Sequence, residues 1–297
     1  CLQHGPLTMD WDATWQAHRM FHANWDARLK EETLAIRDAR PDLVIGNTPY
    51  LAMAAGAAAG VPTVAIASLS WDDILREHLD PRQPWHTAIL EDIRRAYGQA
   101  HLLLRLTPGL PMPAFRHAMD IGPIAHPLPP ARTRIRQHLG IPNHDTLVLV
   151  AFGGIRFEAL PFDRMESMPG IQFLIDGPVP PHNRRVHSLS TLSERFSTLL
   201  SSVDVIMTKP GYGTTLEAVA THVPVVYVRR YDFIEEDQIV AYLHRYGRGV
   251  ELSRADFLEA RWEPAIRQAL TLPISTSPPP ACTGAADAAK ILAAYLP

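Results

Sequence analysis

Val205-Ile206-Met207-Thr208-Lys209-Pro210-Gly211-Tyr212-Gly213-Thr214-Thr215-Leu216-Glu217-Ala218-Val219-Ala220 joins a buried strand, a glycine turn and a helix start in one stretch. Val205 to Met207 have the uninterrupted apolar character of a short strand covered on both faces. Gly211 and Gly213 predict a sharp turn, and Thr214 and Thr215 stand where the helix is expected to open. The first amides of a helix lack intrahelical partners and carry the positive end of its dipole. Gly211, Gly213, Thr214 and Thr215 therefore read as a cradle for an anionic diphosphate, with a plain strand-to-helix turn as the alternative. Glu217 lies three residues past Thr214. Its carboxylate suits the hydroxyls of a ribose, while Thr214-x-x-Glu217 is also the spacing of a capping box. Lys209 either brings an ammonium to the phosphates or is a solvated loop lysine.

Outward from this stretch the chain alternates strands and helices. Leu43 to Ile45, Leu51 to Ala59 and Thr63 to Ala67 form a βαβ unit, which predicts a parallel sheet covered by helices. A helix at Trp85 to Gln99 and a strand at Leu102 to Leu104 follow. Gly122-Pro123 marks the end of this first sheet, with the stiff connection Pro127 to Pro130 beyond it. Strands are then expected at Leu147 to Ala151, Ile171 to Leu174, Val205 to Met207, Val225 to Val228 and Gly249 to Leu252. Helices are expected at Arg132 to Leu139, around Leu192 to Leu200, from Thr214, at Asp237 to Tyr246 and at Gly284 to Leu296. Trp15, Met20, Phe21, Trp25, Leu29, Leu34 and Ile36 recur at mixed three and four spacing, predicting one or two helices over Asp12 to Arg40.

The chain has 297 residues, enough for two ordinary domains, and a net charge of −3, which withdraws support from nucleic acid or an anionic membrane as main partner. Contact with a membrane surface is expected at most transiently. Two cysteines, Cys1 and Cys282, offer neither a disulfide framework nor a metal spacing and suit a reducing cytoplasm. His18 and His22 lie four apart without a visible third ligand, so no metal site is expected. No cofactor is expected either.

The central stretch, taken with Val223-Pro224-Val225-Val226-Tyr227-Val228 and Glu235-Glu236-Asp237-Gln238, resembles the donor half of a GT-B glycosyltransferase. Pro41-Asp42-Leu43-Val44-Ile45, Ser70-Trp71-Asp72, Gly122-Pro123-Ile124-Ala125 and Val150-Ala151-Phe152-Gly153-Gly154 extend the likeness over nearly the whole chain. It is similar to bacterial glycosyltransferase-like proteins related to the peptidoglycan N-acetylglucosaminyltransferase, and to the glycosyltransferase-like domain of arabinokinase. The resemblance implies two Rossmann-like, doubly wound parallel-sheet domains. Residues 1–126 would be the acceptor-side domain, 127–280 the nucleotide-sugar-binding domain, and 281–297 a terminal helix packing back on the first. It also implies an inverting, metal-independent hexosyl transfer from a nucleotide diphosphate sugar, a UDP-sugar being favoured. The family's opening strand and glycine-rich loop, with a His near the acceptor, have no counterpart from Cys1 onward and are expected to precede it.

Open parallel sheets bind ligands beyond the carboxyl ends of their strands, where every motif singled out here lies. Gly153 and Gly154 either approach the diphosphate from the side facing Gly213 or serve strand-to-helix packing. By resemblance Glu235, Glu236, Asp237 and Gln238 hold the donor sugar, although acids at a helix start are also favourable N-terminal charges. Asn47, Ser70 and Trp71 are expected on the acceptor side. Asp72 is a candidate general base, or merely a cap for the helix beginning near Asp73, and His4 is the other candidate. Two rivals stand beside transfer: a non-catalytic nucleotide-sugar-binding module, and a nucleotide-sugar epimerase.

Overall fold

The computed structural model describes residues 2–153 and 160–296. A short antiparallel hairpin, β1 (Leu2–Gly5) and β2 (Thr8–Asp10), opens the fold. Asp10 caps the next helix, Trp11–His22, by accepting from the Ala13 amide at 2.8 Å. After helix Trp25–Ala39 comes a four-stranded parallel sheet of β3 (Val44–Gly46), β4 (Thr63–Ala67), β5 (Leu102–Leu106) and β6 (Ala118–Ile121), in that order. Helices Tyr50–Ala59, Trp71–Arg76 and Pro84–Tyr97 connect its strands. β6 went unread in the sequence because only Ile121 of its four residues is buried, leaving no apolar run. The hairpin escaped for the same reason.

The second sheet comprises β7 (Thr146–Val150), β8 (Ile171–Ile175), β9 (Val186–Ser188), β10 (Val205–Thr208), β11 (Val225–Tyr227) and β12 (Gly249–Glu251). All are parallel, in the order β12-β11-β10-β7-β8-β9. From β7 the chain winds one way to β8 and β9, then returns to lay β10, β11 and β12 on the other side. The order therefore reverses between β7 and β10, and such a reversal opens a crevice at the carboxyl ends of the two strands. Leu147, Val148, Leu149, Val205, Ile206 and Met207 are all 0% exposed, as strands covered on both faces require.

The two sheets share residues across their boundary. Leu7 of the hairpin lies in the apolar cluster beneath the second sheet, with Phe173 and Trp262. Conversely, the helix Gly284–Leu292 packs Ala288 against Val64, Leu104 and Ile121 of the first. There the Gly284 amide donates to the Pro123 carbonyl at 3.1 Å, and a Cβ on Gly284 would stand 2.2 Å from the Gly122 carbonyl oxygen. Two backbones meet at that point with no room for a side chain. No helix among the described residues is long and apolar enough to cross a membrane.

Candidate functional site

The helix after β10 runs Tyr212–Ala220 with Gly211 as its N-cap. It thus opens two residues before Thr214, and Glu217 falls in its second turn, so the expected capping box does not form: no side chain caps this helix. The first intrahelical bond is made by the Thr215 amide, which donates to the Gly211 carbonyl at 3.0 Å. The amides of Tyr212, Gly213 and Thr214 precede it and have no partner among the described residues. Thr215 takes no part at the surface, being 0% exposed with its hydroxyl unpartnered.

Gly213 is exposed, its φ is not positive, and a Cβ there would meet nothing within 4 Å. Neither backbone strain nor protein crowding calls for glycine, which in a helix costs about 1 kcal/mol relative to Ala. Glu217, four residues on, shares the face of Gly213 and accepts from the Ser197 hydroxyl at 3.0 Å through Oε1.

Across the crevice, Gly153 follows β7 with φ +71°, and a Cβ built on it would lie 3.6 Å from Lys209 Cε and 3.8 Å from its Nζ. The topology thus brings Gly153, Lys209 and the opening of the Tyr212 helix to one place. Gly154 lies outside the described residues. The Lys209 ammonium has no hydrogen bond or ion pair among them. Burial, with the Arg230 charge nearby and partly offset by Glu236, pushes it down to about 8. Among the described residues it is a half-buried cation without a counter-ion.

The acidic stretch divides. The Glu235 carboxylate is buried at the boundary and accepts from the Ser68 hydroxyl, just past β4, at 2.7 Å. Glu236 is 0% exposed, with Oε1 2.6 Å from Arg230 Nε and Oε2 2.9 Å from the Arg230 amide. Desolvation pushes both carboxyls up. Asp237 and Gln238 are exposed, Asp237 pairing with Arg229. Glu236 therefore has no oxygen open to a ligand, whereas the Gln238 amide has no partner among the described residues.

On the first sheet, Asn47 is exposed beyond β3 and Trp71 is half-buried beyond β4. Ser70 is 1% and Asp72 0% exposed; the Ser70 hydroxyl donates to Asp72 Oδ1 at 2.7 Å, and Arg94 Nε lies 3.5 Å from Oδ2. Asp72 is in the first turn of helix Trp71–Arg76, whose N-cap is Ser70. Both side chains point into the protein. His4 is exposed on the hairpin and 2.7 Å from Asp10.

Tyr212, which the sequence did not single out, ties the turn to the first sheet. Its hydroxyl donates to the Thr107 carbonyl at 3.0 Å and accepts from the Ile124 amide at 3.2 Å, and burial pushes it up to about 12. Asp232 makes a second tie, accepting from Trp11 Nε1 at 3.0 Å, while its carbonyl accepts from His78 Nε2 at 2.9 Å. No cluster of three or more His, Cys, Asp or Glu placed to hold a metal occurs among the described residues.

Two parallel α/β sheets facing each other, with the crevice at the switch point of the second, define the GT-B glycosyltransferase fold, and solved structures agree. The glycotransferase of kitacinnamycin superposes with a TM-score of 0.60 at 18% identity, covering 95% of this chain and 83% of its own. The calicheamicin glycosyltransferase CalG4 gives 0.57 at 19%, over 96% and 83%. The glycosyltransferase VinC, solved in complex with dTDP, gives 0.53 at 16%, over 96% and 77%. No family model matches the chain. Among curated proteins, the L-arabinokinase of Arabidopsis thaliana is 29% identical over 250 residues, 82% of this chain but 24% of the relative's length.

Proposed function

We propose that this protein transfers a hexose-type sugar from a nucleotide diphosphate sugar to an acceptor hydroxyl, with inversion and without a metal. The observation that carries the reading is the Lys209 ammonium beside the amides of Tyr212, Gly213 and Thr214, all without a partner among the described residues. A leaving diphosphate gains negative charge as the glycosidic bond breaks, and a preorganised cation and helix dipole stabilise that charge where a metal otherwise would. Gly153 gives the diphosphate room on the opposite side. Glu217 Oε2, with Oε1 held by Ser197, accepts from the ribose hydroxyls. Gln238 and Asp237 reach the sugar, while Glu235 and Glu236 hold the helix start that presents them.

In this reading residues 1–126 form the acceptor domain, 127–280 the donor domain, and 281–297 the returning helix. Asn47 and Trp71 face the acceptor, and the general base comes from outside Asp72, whose carboxylate is enclosed. UDP is the favoured nucleotide and a reducing cytoplasm the setting. The dTDP in the VinC structure supports a nucleoside diphosphate as the ligand class.

The likeness to part of an L-arabinokinase, together with the enclosed Asp72, favours a second reading as a nucleotide-sugar-binding module without turnover. A thermal-shift screen of UDP, dTDP and their sugars tests what both share. A ligand at about a hundred times its Kd should add about 2.7 kcal/mol of stability. No stabilisation by any nucleoside diphosphate sinks both readings; stabilisation without donor hydrolysis or transfer leaves the binding module.

A further inference from the structure

The first sheet has a concavity of its own at the carboxyl ends of β3 and β4. It encloses about 290 Å3 and is lined by Ala17, His18, Phe21, Tyr50, Leu51 and Trp71. That volume is at the small end for ligand sites and suits a compound of one or two rings. Trp71, one wall of the concavity, stands three residues past Ser68, whose hydroxyl meets Glu235.

Polar chemistry enters this apolar lining through a chain of side chains. His18 Nδ1 and His22 Nε2 each lie 3.1 Å from the Tyr50 hydroxyl, and His22 Nδ1 lies 3.6 Å from Asp92 Oδ2. His22 Nδ1 makes no hydrogen bond to Asp92 at this distance, but the nearby negative charge favours the tautomer with its proton on Nδ1, and in that tautomer Nε2 accepts from Tyr50. A hydroxyl has one proton to give, so Tyr50 must then accept from His18 Nδ1–H. His18 Nε2 is left as a lone pair. It has no partner among the described residues and is not one of the enclosed unpartnered atoms, so it remains accessible. Burial, with His22 beside it, pushes the His18 imidazole down to about 4, which keeps the ring neutral around pH 7.

We propose that this concavity binds a flat, apolar small molecule carrying one hydroxyl, which donates its hydrogen bond to His18 Nε2. Its role as the acceptor site rests on the glycosyltransferase reading; the binding itself does not. An apolar body fills the space between Phe21, Leu51 and Trp71, and the hydroxyl satisfies a lone pair that an apolar ligand alone would leave buried and unpaired.

Calorimetric titration of the chain with 2-naphthol, with its methyl ether and, separately, with UDP and dTDP tests this. Expected is saturable binding of 2-naphthol and at least about tenfold weaker binding of the ether, which has no proton to donate. His18→Phe should bind the two alike. Ala17 is exposed on its helix, so Ala17→Trp should fill the concavity without disturbing the fold and abolish naphthol binding while UDP binding, if present in the native chain, persists. Absence of saturable naphthol binding, equal affinity for the ether in the native chain, or undiminished naphthol binding in Ala17→Trp would each overturn the proposal. Naphthol binding with neither UDP nor dTDP binding upholds the concavity and removes the glycosyltransferase reading. UDP binding without naphthol binding does the reverse.

Discussion

The crevice beyond β7 and β10 and the concavity beyond β3 and β4 offer their chemistry by different means. In the proposed crevice site the described residues offer mostly main chain, three helix-start amides and the glycines Gly153 and Gly213, with the Lys209 ammonium added. In the concavity the chemistry comes from side chains on separate elements, with His18 and His22 on one helix, Tyr50 on another and Asp92 on a third. A backbone site is set by turn geometry and tolerates drift in its neighbours. A side-chain relay depends on each link and on the packing that holds it.

The largest effect expected on this contrast is Glu236→Ala. It would leave the 5% exposed Arg230 side chain without its ion-pair partner, so about 3 to 5 kcal/mol of folding stability should be lost in urea denaturation. A loss below about 1 kcal/mol would mean that Glu236 serves a ligand instead. Next comes Lys209→Met, for which nucleoside diphosphate affinity should fall by about 1.5 to 3 kcal/mol in calorimetry while naphthol binding stays level. The pH profile sharpens it. Lys209 titrates near 8, far below an ordinary lysine, and only the protonated form attracts the diphosphate. Native affinity should therefore hold below about pH 8 and decline above it, whereas Lys209→Arg should stay flat to pH 9.5. Smallest is Glu217→Gln, which keeps the size and one acceptor: about 1 kcal/mol is expected for a ribonucleotide and less for its 2′-deoxy analogue. Equal losses for both would assign Glu217 to the Ser197 contact alone.

The same contrast explains what could be read in advance. β7, β8, β10 and β11 announced themselves because buried parallel strands are unbroken apolar runs, and the glycine turn after β10 is local in sequence. The helix start was misplaced at Thr214 because threonine is a good cap, while the chain uses Gly211. Ser68 with Glu235, and Tyr212 with Thr107, are more than a hundred positions apart and leave no local signature. His18 and His22 were visible as an i, i+4 pair, but their link is Tyr50, and a tyrosine is no metal ligand in a spacing search.

The crossing of the chain between its two sheets has a bearing on how it melts. Leu7 is buried under the sheet that residues 146–251 build, and Ala288 under the one that residues 44–121 build. Each sheet is thus closed by a segment from the far end of the sequence, like a parcel tied with the other parcel's string. Melting of one should therefore pull a plug from its neighbour, and the two cores are expected to be lost together. Calorimetric and van't Hoff enthalpies should coincide in one transition, and heat should not yield a species with one sheet folded.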